Sequence, residues 1–260
     1  MKKSIFMNRD WSGQWPAPLL PVDLLDRNAL EKRAVKIFDR RPNLVAEIES
    51  SLGPIVVKLF GWRSRIHYFL SPLMPSRAAL SWRTARALRQ AGSRTPAPIA
   101  VLTDRCLGLI QTNLFVCAAI RPHVTLRKFL KSGPEESAVL TVFADLALSL
   151  ARMHNAGILH RDLTTGNFLV DSVGQVHIVD LNRARVLRRL TVRQRLNDLA
   201  KLNFGHRYNE NQVLVTGFFT VYGNESAVAG DWEAGYRRAR RKLQRYRRGK
   251  AALKRLFFKK

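Results

Sequence analysis

The chain is short of several things, and each shortage narrows what it can be. It has two cysteines in 260 residues, Cys106 and Cys117, in an apolar-rich stretch. Their spacing alone permits a disulfide, but two buried free thiols are the expectation. No Cys/His spacing has the form of a zinc site. No apolar run reaches the roughly 18 residues that a membrane-spanning helix needs. The opening MKKSIFMNRDW carries two lysines, but Arg9 and Asp10 interrupt the apolar run before a signal-peptide core can form. Neither an export signal nor a transmembrane span is expected. Acids are scarce: 19 Asp and Glu stand against 45 Lys and Arg, a formal charge of +26. Such a field draws polyanions, whether nucleic acid, anionic lipid or a phosphorylated glycolipid, and charge alone does not choose among them. No internal repeat is visible.

What is present is a foldable core. Hydrophobic residues make up 46% of the chain, and its length suits one large domain or two small lobes. Residues 1–29 hold three prolines in WPAPLLP and read as an irregular lead segment. RAVKIF, LVAEIES and PIVVKLF are short, β-branched and partly alternating, separated by the turns DRRPN and SLG, and read as three antiparallel strands. Residues 76–92 have helical apolar spacing and end in Gly92. APIAVLTDRCLGL and NLFVCAAI read as two more strands. The expectation is an α+β chain. It starts with a five-stranded antiparallel sheet with one helix inserted after the third strand, over 30–120. A mainly helical part follows over 121–236 and a basic tail over 237–260. EESAVLTVFADLALSLARMHNAG predicts a helix of about 20 residues, with acids at its start and a glycine stop. HRDLTTGNFLV and QVHIVDL predict a short hairpin, and TVRQRLNDLAKLNF another helix. From Arg237 to Lys260 there are thirteen basic residues and no acid.

The chemistry lies in the hairpin. Asn167 follows Asp162 by five residues, and Asp180 follows Asn167 by thirteen. A β-rich part, then a helix leading into H-R-D-x4-N, then an Asp after an apolar strand is the order of parts in protein-kinase-like, bilobal enzymes. In such a site Asp162 orients a hydroxyl nucleophile and takes its proton. Asn167 and Asp180 supply hard oxygens to the Mg²⁺ that accompanies ATP. His160 and Arg161 brace the loop. Lys58, in IVVKLF, matches the strand lysine that contacts the α- and β-phosphates. Lys36, in AVKIF, is the competitor.

Three things expected of a protein kinase are missing. The turn DRRPNLV, where a phosphate-covering loop would lie, has no glycine; Arg40 and Arg41 are either its substitute or a solvated turn. No Glu occurs between Lys58 and Glu135, so the inserted helix cannot give the lysine its usual partner. Glu47 or Glu49 could take that place only from an inward-facing position. After Asp180 the chain returns to helix within about ten residues, with no A-P-E-like anchor, so a small or lipid-linked acceptor fits better than a peptide.

Together with HRDLTTGNFLV, VDLNRAR, NDLAKL and the passage ALRQAGSRTPAPIAV, these departures resemble the bacterial lipopolysaccharide core kinases, the Kdo/heptose kinase family, over about residues 32–205. The resemblance implies transfer of the ATP γ-phosphate to a sugar hydroxyl, Kdo or heptose, of the lipid A–core glycolipid. Asp162 would be the base, Asn167 and Asp180 the Mg²⁺ ligands and Lys58 the phosphate contact. Asp198, in NDLAKL, is either a brace beneath the catalytic loop or a surface acid. The basic tail, with Leu243, Tyr246, Leu253, Leu256, Phe257 and Phe258 among its cations, fits peripheral attachment to the anionic inner-membrane surface from the cytoplasm. The rivals are a pseudokinase scaffold, a small-molecule kinase of another substrate class, and a nucleic-acid-binding protein. No nucleic-acid motif is present, and no specific nucleic acid is expected as partner.

Overall fold

The computed structural model describes residues 7–13, 24–62 and 65–257. The fold is α+β, in two compact units. The first is drawn from Met1–Arg89, Thr95–Arg121 and Asp180–Arg183, the second from Gln90–Arg94, Pro122–Val179 and Ala184–Lys260.

The first unit is an antiparallel sheet. Its strands are β1 (Met7–Gly13), β2 (Lys36–Asp39), β3 (Leu44–Ile48), β4 (Ile55–Leu59), β5 (Pro98–Cys106) and β6 (Leu109–Ala118). Their order is β1-β5-β6-β4-β3-β2. The five expected strands are there, and β1 adds a sixth. The lead segment is therefore not irregular throughout. Met7 to Gly13 run along β5, opposite Cys106 to Ala100. This pairing is made by backbone and carries no apolar alternation that sequence could have shown. A short helix, α1 (Arg27–Arg33), also corrects the irregular reading; Asp26 caps it, accepting from Asn28 N at 2.8 Å. The WPAPLLP stretch lies outside the described residues.

Alternation sets the two faces of the sheet. Leu44, Ala46 and Ile48, with Ile55, Val57 and Leu59, join Ala100, Leu102, Leu114 and Val116 in one buried cluster that Leu24 and Leu30 close. Each leucine, isoleucine and valine among them contributes roughly 1.5–3 kcal/mol on burial. The opposite face carries Lys58, paired across the strands with Val45 and Phe115. A short helix α2 (Arg65–Phe69) precedes α3 (Arg77–Gln90), the helix expected over 76–92. Asn113, on the Lys58 face of β6, accepts from Ala78 N at 3.1 Å and so fixes the start of α3. Cys106 and Cys117 are both free, and Cys117 is buried.

The second unit is mainly helical. It contains β7 (His123–Thr125), α4 (Leu126–Lys131), α5 (Glu136–Asn155), β8 (Ile158–Leu159), β9 (Phe168–Asp171), β10 (Val176–Ile178) and β11 (Arg185–Val186). The helices α6 (Val192–Leu199), α7 (His206–Glu210), α8 (Gln212–Glu225) and α9 (Trp232–Phe257) follow. β9 and β10 form the expected hairpin, with β7 on the far side of β9. α5 spans the 20 residues its pattern predicts. It is long and apolar enough to cross a membrane, but it works as a core helix, burying Phe143, Leu146, Leu150 and Met153 among others. Phe143 meets Phe204 at 4.4 Å, and Tyr222 on α8 meets Trp232 on α9 at 5.0 Å between ring centres.

Two elements differ from expectation. α6 stops at Leu199, short of the predicted Phe204, because Phe204 leaves the helix to pack on Phe143. The basic tail does not begin at Arg237. It continues a helix already running from Trp232, whose Tyr236 is buried and whose Arg240 donates to Asn203 Oδ1 at 2.8 Å.

Candidate active site

Gly157 ends α5 and turns the chain into the H-R-D loop, the candidate catalytic loop. Its φ is +75°, and a Cβ there would lie 1.9 Å from the Leu187 carbonyl oxygen, so only glycine fits. β8 follows, tied to β11 through Leu159 and Arg185, and delivers His160, Arg161 and Asp162.

The loop is braced from within the second unit. A capping box between Thr191 and Gln194 starts α6, and two turns later the helix presents Asp198, which is 2% exposed. Asp198 accepts from His160 N at 2.7 Å and Arg161 N at 2.9 Å, and pairs with Lys201 at 2.8 Å. The brace reading of Asp198 is the one observed. Burial would raise its carboxyl, but His154 beside it and the Lys201 ammonium outweigh that and hold it well below the usual carboxylate range. His154 is itself fully buried, and burial pushes it towards the neutral form. Its Nδ1 lies 2.7 Å from the Tyr222 hydroxyl, while Nε2 is 3.6 Å from Asp198, too long for a hydrogen bond. Arg161 has φ +68°, a left-handed conformation that the Asp198 contact to its N–H helps hold.

His160 is fully buried. Its Nε2 lies 2.9 Å from the Val179 carbonyl and donates to it, which leaves Nδ1 to accept from Asp162 N at 3.3 Å. Histidine thus positions Asp162 through the backbone and has no nitrogen left for proton transfer. Asn167 closes the loop. Its Nδ2 donates to Asp162 O at 2.8 Å, and its backbone N–H to Thr164 O at 2.8 Å. With the amide nitrogen committed, Oδ1 is the atom available to a cation. Asp162 and Asn167 are therefore brought together in one rigid turn.

Lys58 and Asp180 are brought together in the first unit. The Lys58 ammonium pairs with Asp180 Oδ1, and Asn182 Nδ2 donates to the same oxygen. Asp180 also stands in the left-handed region, at φ +63°. With both donors on Oδ1, Oδ2 is left for a cation. Lys58 lies 5.3 Å from the centre of the Phe60 ring, and Arg77 lies 5.4 Å from it on its own account. Lys36 is exposed on β2, over Phe38. Of the two lysines, Lys58 is the one with a carboxylate of the proposed site.

Glu47 does not substitute for the missing helix glutamate. It shares the Lys58 face, two pairs along the β3–β4 ladder, but Arg121 holds it, with Nε at 2.6 Å, and takes Glu49 at 3.0 Å as well. Arg40 pairs with Glu31 at 3.5 Å, as a side chain of the solvated turn. Sequence reasoning missed Asn182, Arg121, His154 and Lys201. Only Asn182 had a signal, lying two residues after Asp180 in DLNRAR.

Asn167, in the second unit, and Asp180, in the first, each offer a hard oxygen, the ligand type that Mg²⁺ takes. No cluster of three ligating side chains occurs among the described residues.

Comparison with known proteins gives a consistent picture. The profile of the lipopolysaccharide kinase (Kdo/WaaP) family matches residues 61–235. A 3-deoxy-D-manno-octulosonic acid kinase of Vibrio vulnificus (strain CMCP6) is 26% identical over 125 residues, 48% of this chain and 51% of that one. A protein of the same description from Xylella fastidiosa (strain M12) is 25% identical over 161 residues, 60% of this chain and 62% of that one. The chain thus spans about half to three fifths of these relatives' length. Among solved structures, WaaP in complex with acyl carrier protein superposes with a TM-score of 0.61 at 18% identity, covering 91% of this chain and 98% of that one. That likeness concerns the fold.

Proposed function

The chain belongs to the lipopolysaccharide kinase (Kdo/WaaP) family, and from that premise we propose that it transfers the γ-phosphoryl group of ATP to a sugar hydroxyl of the lipid A–core glycolipid. The observation that carries the proposal is the Asp162–Asn167 turn, locked by Asp198 and His160. In the reaction the acceptor oxygen forms a bond to the γ-phosphorus, the bond to the β-phosphate oxygen breaks, and ADP leaves. The acceptor proton passes to the Asp162 carboxylate and then to solvent. Lys58 moves from Asp180 to the α- and β-phosphates. Asn167 and Asp180 would hold Mg²⁺, which supplies charge neutralisation on the phosphates. The two relatives named as 3-deoxy-D-manno-octulosonic acid kinases support Kdo as the first acceptor to try, ahead of heptose. The test is mass spectrometry of the glycolipid after incubation with protein, ATP and Mg²⁺. A gain of one phosphoryl group located to one sugar is the expected result, and an unchanged glycolipid with either sugar overturns it.

Attachment to the cytoplasmic face of the inner membrane belongs to the same proposal. From Arg245 to Lys250 the cations of α9 are exposed, as are Tyr246 and Leu253. The side chains of Leu256, Phe257 and Phe258 lie outside the described residues. Each cation near an anionic surface contributes about 1 kcal/mol. Deleting residues 248–260 removes six cations without touching the packed start of α9. It should weaken sedimentation with anionic vesicles and leave transfer to a soluble sugar acceptor intact. Equal vesicle binding by the shortened chain would discard the tether.

A further inference from the structure

The second unit encloses a cavity of about 540 Å³ beside the catalytic loop. Arg127 and Lys131 reach it from α4, Lys201 from the end of α6, His206 and Arg207 from α7, and Arg247 from α9. Thr164 and Thr165 of the catalytic loop form part of its wall, and no carboxylate among the described residues lines it. We propose that this cavity binds an oxyanion, a phosphate or carboxylate, carried by the sugar acceptor.

With 45 Lys and Arg against 19 Asp and Glu, many cations must lack an acid, so unpaired cations alone mean little. Convergence is different. Some arginines of the second unit do find acids: Arg94 takes Asp145 at 2.6 Å, Arg152 takes Glu225 at 3.0 Å, and Arg237 takes Glu233 at 3.0 Å. Around this cavity Lys201 has Asp198 and His206 has Glu210. Arg127, Lys131, Arg207 and Arg247 have no carboxylate partner among the described residues. Separate chain segments bring these like charges into one concavity, where they repel each other until an anion arrives. Guanidinium groups in that setting hold phosphate or carboxylate through paired hydrogen bonds. The volume is that of a small-molecule site.

Its position assigns the occupant. Arg127 lies against Gly166, the residue before Asn167. A Cβ at Gly166 would come within 3.1 Å of one guanidinium nitrogen and 3.3 Å of Cζ. The loop sequence T-T-G-N therefore admits an arginine where a larger residue would displace it. An anion on Arg127 would sit beside the loop that carries Asp162, where the acceptor must present its hydroxyl. This assignment to the acceptor rests on the phosphotransfer reading; anion binding itself does not.

The experiment separates the two. Lys131→Ala/Arg207→Ala/Arg247→Ala removes three exposed cations of the cavity and leaves Arg127 on its glycine. Arg83→Ala/Arg86→Ala/Arg89→Ala removes the same charge from the exposed side of α3. Inorganic phosphate and a phosphate-free sugar acid are titrated calorimetrically into each protein, with the nucleotide site filled by a non-hydrolysable ATP analogue and Mg²⁺. At least one of the two anions should bind the cavity variant about tenfold more weakly than wild type, and the α3 variant within about twofold. Equal weakening in both variants, or binding of neither anion by the wild-type protein, overturns the proposal. In transfer assays the cavity variant should raise the acceptor KM about tenfold with kcat and the ATP KM little changed. An unchanged acceptor KM removes the acceptor from the cavity. If that penalty disappears with dephosphorylated acceptor the bound group is a phosphate, and if it persists the group is the carboxylate. Wild-type protein that binds anion in the cavity but phosphorylates no glycolipid would sink the phosphotransfer reading and leave the anion site standing.

Discussion

His160 and Asp198, which hold the catalytic loop, are 0% and 2% exposed. The Asp180 side chain, which meets Lys58, is 34% exposed. The loop is tied by hydrogen bonds to Asp198 and Val179 and from the Asn167 amide, within the second unit. The Lys58–Asp180 pair is tied by two donors to a single carboxylate oxygen. The difference separates two kinds of work. Geometry at a nucleophile must exist before substrate arrives, and a buried, satisfied network provides it. In the proposed reaction, charge that meets ATP and Mg²⁺ has to be able to change partners. A partly exposed ion pair contributes little on its own, so opening it is cheap.

The contrast can be broken first at Asp162. Asp162→Ala should lower phosphoryl transfer by about a thousandfold, the scale of a lost general base, while nucleotide binding by calorimetry stays near wild type. Comparable turnover would take Asp162 out of the chemistry.

The exchangeable side comes next. Asp180→Ala should weaken Mg²⁺-dependent nucleotide binding about a hundredfold and Asn167→Ala about tenfold, because a carboxylate offers a full charge and an amide a dipole. Asp180→Ala also leaves Lys58 without its recorded carboxylate. The reverse ranking would mean that the two ligands have been assigned the wrong weights.

Lys58→Met should lower activity more than about tenfold, with the loss in the ATP KM and kcat together, and Lys36→Met should do much less. Lys36 is exposed on an outer strand, whereas the Lys58 side chain is 16% exposed and pairs with Asp180. A larger loss at Lys36 would place the phosphate contact on the wrong strand.

Much of this was legible in the sequence because it is local. The β2–β6 strands announce themselves by β-branched alternation, α5 by its periodic apolar face, and the catalytic loop by fixed spacing from Asp162 to Asn167. What sequence could not show depends on partners far along the chain. β1 is held by backbone pairing to β5, so its side chains carry no signal. α1 did have one, Asp26 before a helix ending in Lys32 and Arg33, which the prolines upstream obscured. Glu47 was a fair candidate for Lys58 by strand parity alone, and its capture by Arg121, 74 residues later, leaves no mark in either segment. The cavity cations come from four stretches between Arg127 and Arg247 and converge only in the fold. Net charge announced that anions matter without saying where.

The smallest effect tests the braced side, and it is read in stability. Asp198→Asn keeps the shape but cannot accept from His160 N, Arg161 N and Lys201 as a carboxylate does. A loss of about 2 kcal/mol is expected from the weakened buried hydrogen bonds, a melting temperature lower by about 6 °C in a chain of this size. The pH dependence carries the signature. The Asp198 carboxyl is depressed in the folded state, while in the unfolded chain it titrates near 3.9. Below about pH 4 the unfolded chain takes up a proton that the folded one refuses, so the Asp198 contribution is complete above that value and fades as pH falls. His154 is also depressed, mainly by burial. Its unfolded value is near 6.5, so its contribution is complete above that and fades as pH drops through 6. Wild-type protein should therefore lose stability on acidification in two windows, by calorimetry from pH 8 to 3. Asp198→Asn should shrink the lower window, to which Asp171 and Glu233, also held below their ordinary values, still contribute, and it should deepen the upper one, because the carboxylate that favours protonated His154 is gone. A variant curve parallel to wild type across both windows would show that Asp198 is held by shape alone, and that the loop is braced by packing and not by charge.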